Sequence, residues 1–328
     1  MTLPALTRRA VLALALALPS AALANPTVLQ INSSLPEGSF AHVFLTEFKD
    51  RLEAELPGQI DVQIFMGNTL GSEEDVLQGL GFGTHHASLS ASAVVQVNPR
   101  AAVFDLPYLF EDRAAVMRFV DSPAFDMLAE GFAGRGMVLA SLWDNGFRVI
   151  TNNVRPVVTP EDLRGLKIRT PTSRQRVAMF NHLGANATPL SFGELYSALD
   201  QGVVDGQENP AEVAESARLY EVQSYMSLSN HVYLPTFMLF GEPWLNRLDP
   251  GMRETVLRVA AETAPWTFAW GDETDARVLT DLADRIAINE VDFEAFQAAA
   301  LPLYDSPLFI EAIGAEMIEA TRAALGLD

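Results

Sequence analysis

No cysteine occurs anywhere in the 328 residues. That excludes disulfides and thiolate chemistry, so whatever holds the chain together must be packed core. Histidine is almost as scarce, with five residues: His42, His85, His86, His182 and His231. Neighbours His85 and His86 would point to opposite faces of a strand, which makes them a poor shared metal site. No His-Glu-x-x-His, Gly-x-Ser-x-Gly or P-loop pattern is present. The run GLGFG at 79–83 ends a helical pattern instead of joining a strand to a helix, so it does not read as a dinucleotide loop. No cofactor and no metal are expected. Basic residues are few, 22 against 42 acids, for a formal charge of −20. Such a surface repels nucleic acid and anionic lipid. It repels anionic ligands too, so any anion must be gripped locally by particular arginines.

Long apolar runs are missing after the first two dozen residues. Those residues carry Arg8 and Arg9, an apolar stretch from Ala10 to Leu18, and the small-x-small end Ala22-Leu23-Ala24. This is the pattern of a cleaved secretory leader over residues 1–24, too short to span a bilayer as written. With no cysteine after it, an N-terminal lipid anchor is excluded. The mature chain is expected outside the inner membrane, in the periplasm.

What is present is alternation. TVLQIN and IDVQIF have the two-residue period of strands, while FAHVFLTEFKDRLEAEL carries Phe40, Phe44, Phe48 and Leu52 at helical spacing. MVLASLWDNGFRVIT is a long strand-like run bent at Gly146. A second series of strand and helix patterns follows residue 150, with VDGQENP reading as a turn. Beyond Asp249 the pattern is almost all helical, with Pro265 and Pro302 as expected breaks. Repeated βαβ units predict parallel sheets covered by helices. The fold class is α/β: two lobes with a ligand cleft between them, as in periplasmic binding proteins, and long C-terminal helices across both. The expected division is 25–145 plus about 235–274 for lobe one, and 146–234 plus about 275–328 for lobe two.

In GLKIRTP, Leu166 and Ile168 alternate with Lys167 and Arg169 before Pro171 stops the ladder. Arg169 therefore sits at a strand end, where open α/β sheets bind ligands. Downstream come SFGELYSAL and VDGQENP; elsewhere stand NTLGSEEDVLQ, FDLPYLFED, LWDNGFRVITN and SNHVY. The first three in this order, together with the others, resemble the substrate-binding receptors of TRAP (tripartite ATP-independent periplasmic) transporters, over essentially the whole mature chain.

The resemblance implies a non-enzymatic receptor for a small carboxylate, expected to be a monomer, that delivers its ligand to TRAP membrane subunits driven by an ion gradient. It implies that Arg169 makes a bidentate salt bridge to the ligand carboxylate, a role suited to a planar guanidinium that stays charged. Arg148 matches a second arginine that reaches the ligand, Asn209 a site amide, and Phe192 a position that packs on the ligand body. Glu73 matches an acid that in some members meets ligand hydroxyl or amino groups, with helix capping as the alternative. His231 matches a support for Asn209 from behind. Sialic-acid receptors of the family carry an acid where this chain has Ala91, which argues against sialic acid. A sugar acid, dicarboxylate, keto acid or aromatic acid all satisfy one arginine fork. The rival readings are a sensing domain partnered with a sensor kinase and a secreted hydrolase or lyase of organic acids.

Overall fold

The computed structural model describes residues 25–327; the expected leader lies outside the described residues. The chain first lays down β1 (Thr27–Asn32), β2 (Ile60–Phe65), β3 (Ala87–Ser90) and β4 (Met137–Trp143). It then crosses to build β5 (Arg148–Asn152), β6 (Lys167–Thr170), β7 (Asn186–Pro189), β8 (Gly206–Pro210) and β9 (Tyr225–Leu228). It returns for β10 (Thr236–Gly241), runs through the helix Pro250–Ala283, and ends its strands with β11 (Ala287–Glu290).

Two sheets result. The first has the order β2-β1-β3-β10-β4 and the second β11-β9-β5-β8-β6-β7. In the first, β1 runs parallel to β2 and β3, while β10 is antiparallel to β3 and β4. In the second, β6 lies parallel to both β7 and β8, with β5 antiparallel to β8 and β9. The run 137–151 is thus not one bent strand: its halves belong to different sheets. Gly146, at φ +107°, makes the corner, a conformation that side chains with a Cβ rarely adopt. The return crossing runs alongside it, with Phe147 bridging Tyr233 and Arg148 N–H donating to Val232 O at 2.9 Å.

The apolar spacing explains the layers. Helix α1 (Phe40–Glu55) buries Phe40, Phe44, Phe48 and Leu52 with Leu29, Ile31 and Val62 of the first sheet. In β5 all five residues are buried: Ile150 joins the main core, and Val149 joins a second cluster with Leu195, Leu199, Met226, Val278 and Leu282. That is the mark of a central strand covered on both sides.

Three further sequence expectations are corrected here. VDGQENP is not simply a turn, because Gly206–Pro210 is β8, paired on both sides. A Cβ at Gly206 would lie 2.2 Å from Thr151 O, so only glycine lets the strand pass there. Pro265 does not break its helix, which continues from Pro250 to Ala283. Finally, the tail does not all lie with lobe two. Helices Pro307–Ile313 and Ala315–Leu325 bury Phe309, Ile313 and Met317 against the segment Pro99–Asp105 and the helices Arg113–Val120 and Pro123–Ala133, beside the first sheet.

Candidate functional site

Between the sheets lies a cleft of about 690 Å³, counted out to its open mouth. Five of the six residues singled out in the sequence line it together: Glu73, Arg148, Arg169, Phe192 and Asn209. His231 stands behind.

Arg169 is the penultimate residue of β6, held between β7 and β8. Its side chain is 2% exposed. One edge of the guanidinium is used inside the lobe, with Nε and Nη2 both donating to Leu190 O, at 3.0 and 2.7 Å. Its other edge, Nη1 with the second Nη2 hydrogen, has no protein partner among the described residues. Those two parallel donors have the spacing of a carboxylate. Burial pushes the pKa of Arg169 down to about 10, with the nearby Glu208 opposing the shift. The group is still a cation at neutral pH.

Arg148 is committed differently. Its Nε–Nη2 edge lies on the Glu208 carboxylate, and Nη2 also reaches Glu208 O at 2.7 Å and Asn209 Oδ1 at 3.0 Å. Arg176 Nη1 donates to the same Glu208 carboxylate at 2.7 Å and its Nη2 to Asp105. Ser173 Oγ closes the chain on Asp105 Oδ2. Burial raises the cost of ionising Glu208, but Arg148 and Arg176 outweigh it and hold its pKa well below the carboxylate range. Arg148 and Arg176 are thus balanced by Glu208 and Asp105, and Arg169 beside them has no ion-pair partner among the described residues, so these five buried side chains carry one positive charge in excess.

His231 does not touch Asn209. Its Nε2 lies 3.2 Å from Glu208 Oε2 and its Nδ1 2.8 Å from Ser229 Oγ. Burial lowers its pKa, so it is neutral, donating to Glu208 and accepting from the serine. Its support of Asn209 runs through Glu208 and Arg148. Asn209 is oriented by Arg148 on Oδ1 and by Gln207 Oε1, which accepts from Nδ2 at 2.6 Å.

Glu73 opens helix α2 (Glu73–Phe82), but the cap is made by Ser72 and Asp75, whose side chains form the reciprocal capping box. Glu73 instead accepts from Ala91 N at 2.6 Å. Removal from water in the cleft wall pushes its pKa up to about 7, with neighbouring Glu74 adding to the rise. Phe192, half-buried at the start of a short helical turn, touches both apolar clusters. Two cleft-lining amide oxygens, Asn68 Oδ1 and Asn145 Oδ1, are buried with no hydrogen-bond donor among the described residues. Among the described residues no histidine–carboxylate group converges as a metal site would.

Sequence reading missed Glu208, Arg176 and Asp105. The one available signal was composition: GQENP and SRQR are polar runs beside strongly apolar ones, yet both supply buried residues.

Comparison with known proteins fits this geometry. The model of the family "DctP: Bacterial extracellular solute-binding protein, family 7" matches residues 31–309. The chain is 30% identical to the 2,3-diketo-L-gulonate-binding periplasmic protein YiaO of Escherichia coli (strain K12), over 85% of this chain and 86% of that one. It is 30% identical to the C4-dicarboxylate-binding periplasmic protein DctP of Rhodobacter capsulatus, over 95% of each. The crystal structure of the sugar acid binding protein DctPAm from Advenella mimigardefordensis strain DPN7T, in complex with galactonate, superposes with a TM-score of 0.88 at 27% identity, covering 92% of this chain and 98% of that one.

Proposed function

Since the chain belongs to family 7 of the bacterial extracellular solute-binding proteins, we propose that it is a periplasmic receptor for a hydroxylated monocarboxylate, a sugar acid in chemical class. It hands this ligand to the membrane subunits of a TRAP transporter, and no catalytic step is involved. The leader over residues 1–24 would carry it across the inner membrane.

The observation that carries the ligand class is the unclaimed edge of Arg169, in a cluster with a single surplus positive charge. One carboxylate matches that surplus and that edge. A second carboxylate is disfavoured, because Glu208 and Asn209 take the Nε and Nη2 donors of Arg148, leaving it only Nη1, and the opposite wall carries Glu73 and Glu74. That wall offers acceptors: Asn68 Oδ1, Asn145 Oδ1 and the Glu73 carboxyl. Buried acceptors need donors, and ligand hydroxyls supply them. Asn209 and Phe192 would contact the ligand body. The paired crossings at Gly146 and near Leu234 would act as the hinge on which the lobes close.

A thermal-shift panel tests this reading. Galactonate or erythronate at about a hundred times its dissociation constant should add about 2.7 kcal/mol of stability. The matching alditols and succinate should add little. Stabilisation by succinate alone, or by the neutral alditols, would overturn the assignment.

A further inference from the structure

Thr172 follows Arg169 by three residues and is a wall residue of two cavities. One is the ligand cleft. The other is a groove built by both lobes, with Gln96, Arg100 and Arg135 on one side and Arg174 and Gln175 on the other. At this shared wall the lobes are joined by a three-residue hydrogen-bond chain. Gln96 Nε2 donates to Thr172 Oγ1 at 2.7 Å, and Thr172 Oγ1 donates to Glu74 Oε1 at 2.8 Å. Gln96 and Glu74 flank the first sheet, in the turn after β3 and the first turn of α2, while Thr172 lies in the loop that follows β6 of the second.

The threonine is well fixed for this role. Pro171 precedes it, and Ser173 caps the next helix, accepting from Arg176 N at 3.2 Å and donating to buried Asp105. The backbone that aims Arg169 at the cleft therefore also aims Thr172 across it. Its one hydroxyl uses both its hydrogen and a lone pair between two residues of the other lobe, so the link forms only when both sides are in register.

We propose that the Gln96–Thr172–Glu74 chain is the clasp that holds the closed cleft and sets how long the bound acid stays. It rests on the reading of this cleft as the ligand site. Thr172 acts as a positioning residue: it locks the wall nearest the Arg169 carboxylate site without itself needing to touch the ligand.

Thr172→Val keeps the shape of the side chain and removes both hydrogen bonds. Stopped-flow fluorescence with galactonate should show a dissociation rate raised about tenfold, on the scale of two lost hydrogen bonds, with the association rate almost unchanged. Thr172→Ser should restore the wild-type rate, and Gln96→Ala should lie between. The absence of native cysteine permits a second readout, because Gln78→Cys and Asp200→Cys place spin labels on exposed positions of the two lobes without competing thiols. The Thr172→Val background should shift the interlobe distance distribution toward the longer, open population, with or without galactonate. If wild type binds neither galactonate nor erythronate, the ligand reading fails, and the distance distributions still test the clasp. An unchanged distribution together with, where galactonate binds, an unchanged dissociation rate in Thr172→Val overturns the clasp.

Discussion

Arg148 and Glu208 meet edge to edge inside the second lobe, Nη2 to Oε1 at 3.1 Å, with side chains 2% and 0% exposed. An arginine expected to reach the ligand commits its Nε–Nη2 edge to its neighbour in the sheet, and only Nη1 is without a protein partner among the described residues. The pair lies at the cleft wall and orients Asn209; on the proposed reading, Arg148 serves the cleft mainly by holding other groups in place.

Glu208 should therefore be among the most stability-sensitive positions of the chain. Glu208→Gln keeps the shape but leaves Arg148 and Arg176 facing each other with only Asp105 to compensate. Breaking a buried ion pair by removing one partner costs about 3–5 kcal/mol. Urea unfolding should show a loss of that size for Glu208→Gln and a smaller one for His231→Gln, which leaves both arginines paired. A Glu208→Gln protein as stable as wild type would mean that the cluster is not charged as described.

Why the sequence placed Arg169 at a strand end and did not place Glu208 at all is a matter of range. Leu166, Ile168 and Pro171 fix a strand end within six residues, and the end of a parallel strand is a place defined by local pattern. Likewise Phe40, Phe44, Phe48 and Leu52 announce a helix face that is buried as read. Glu208 gains its meaning from residues 60 and 32 positions away. Gly206, Asn209 and Pro210 are turn formers by propensity, and only the neighbouring strands on both sides make them β8. The same override holds at Pro265, inside a long helix whose Ala260 carbonyl accepts from buried Trp143 Nε1 at 2.9 Å. Thr172 carries no signal at all until the two lobes are placed together.

Stability should fall off on both sides of a weakly acidic optimum. Glu208 has a depressed pKa, so its contribution is complete above the ordinary glutamate value of about 4.3 and is lost as pH falls toward its folded value. Glu73 and Glu212 are shifted the other way, to about 7 each, mainly by burial. Between the unfolded value and about 7 the folded chain binds more protons at these sites, so stability declines as pH rises through that window. Unfolding free energies measured from pH 4 to 8 should show a falling limb above pH 5 that flattens in the Glu73→Gln, Glu212→Gln double variant. A limb unchanged by those substitutions would place its origin elsewhere.

Ligand binding should follow Glu73 alone. Above about pH 7 its carboxylate faces the cleft as an anion and opposes a second anion; below, the neutral acid can donate to a ligand hydroxyl. Sugar-acid affinity should rise as pH falls from 8 to 6, by at most about tenfold per unit for one linked proton. Calorimetry across that range should show the slope in wild type and its disappearance in Glu73→Gln. Parallel slopes in the two proteins would remove Glu73 from the binding equilibrium.

On the proposed reading, Arg169 is the position on which recognition depends. Its backbone is held on both sides by β7 and β8, and Leu190 O takes the inner edge of its guanidinium, so the outer edge is aimed before any ligand arrives. Truncating one member of a buried, hydrogen-bonded charge pair costs about 2–5 kcal/mol of binding. At about 1.4 kcal/mol per tenfold, Arg169→Ala should weaken binding by about 30-fold to several thousand-fold. Arg169→Lys should not rescue it, since an ammonium is a point donor and does not present the two parallel donors of a guanidinium edge. Arg148→Ala should instead lower stability more than affinity, because most of its hydrogen bonds are internal. Calorimetry with galactonate and urea unfolding on the three variants separate these effects. Wild-type affinity in Arg169→Lys would show that charge without the planar fork is enough.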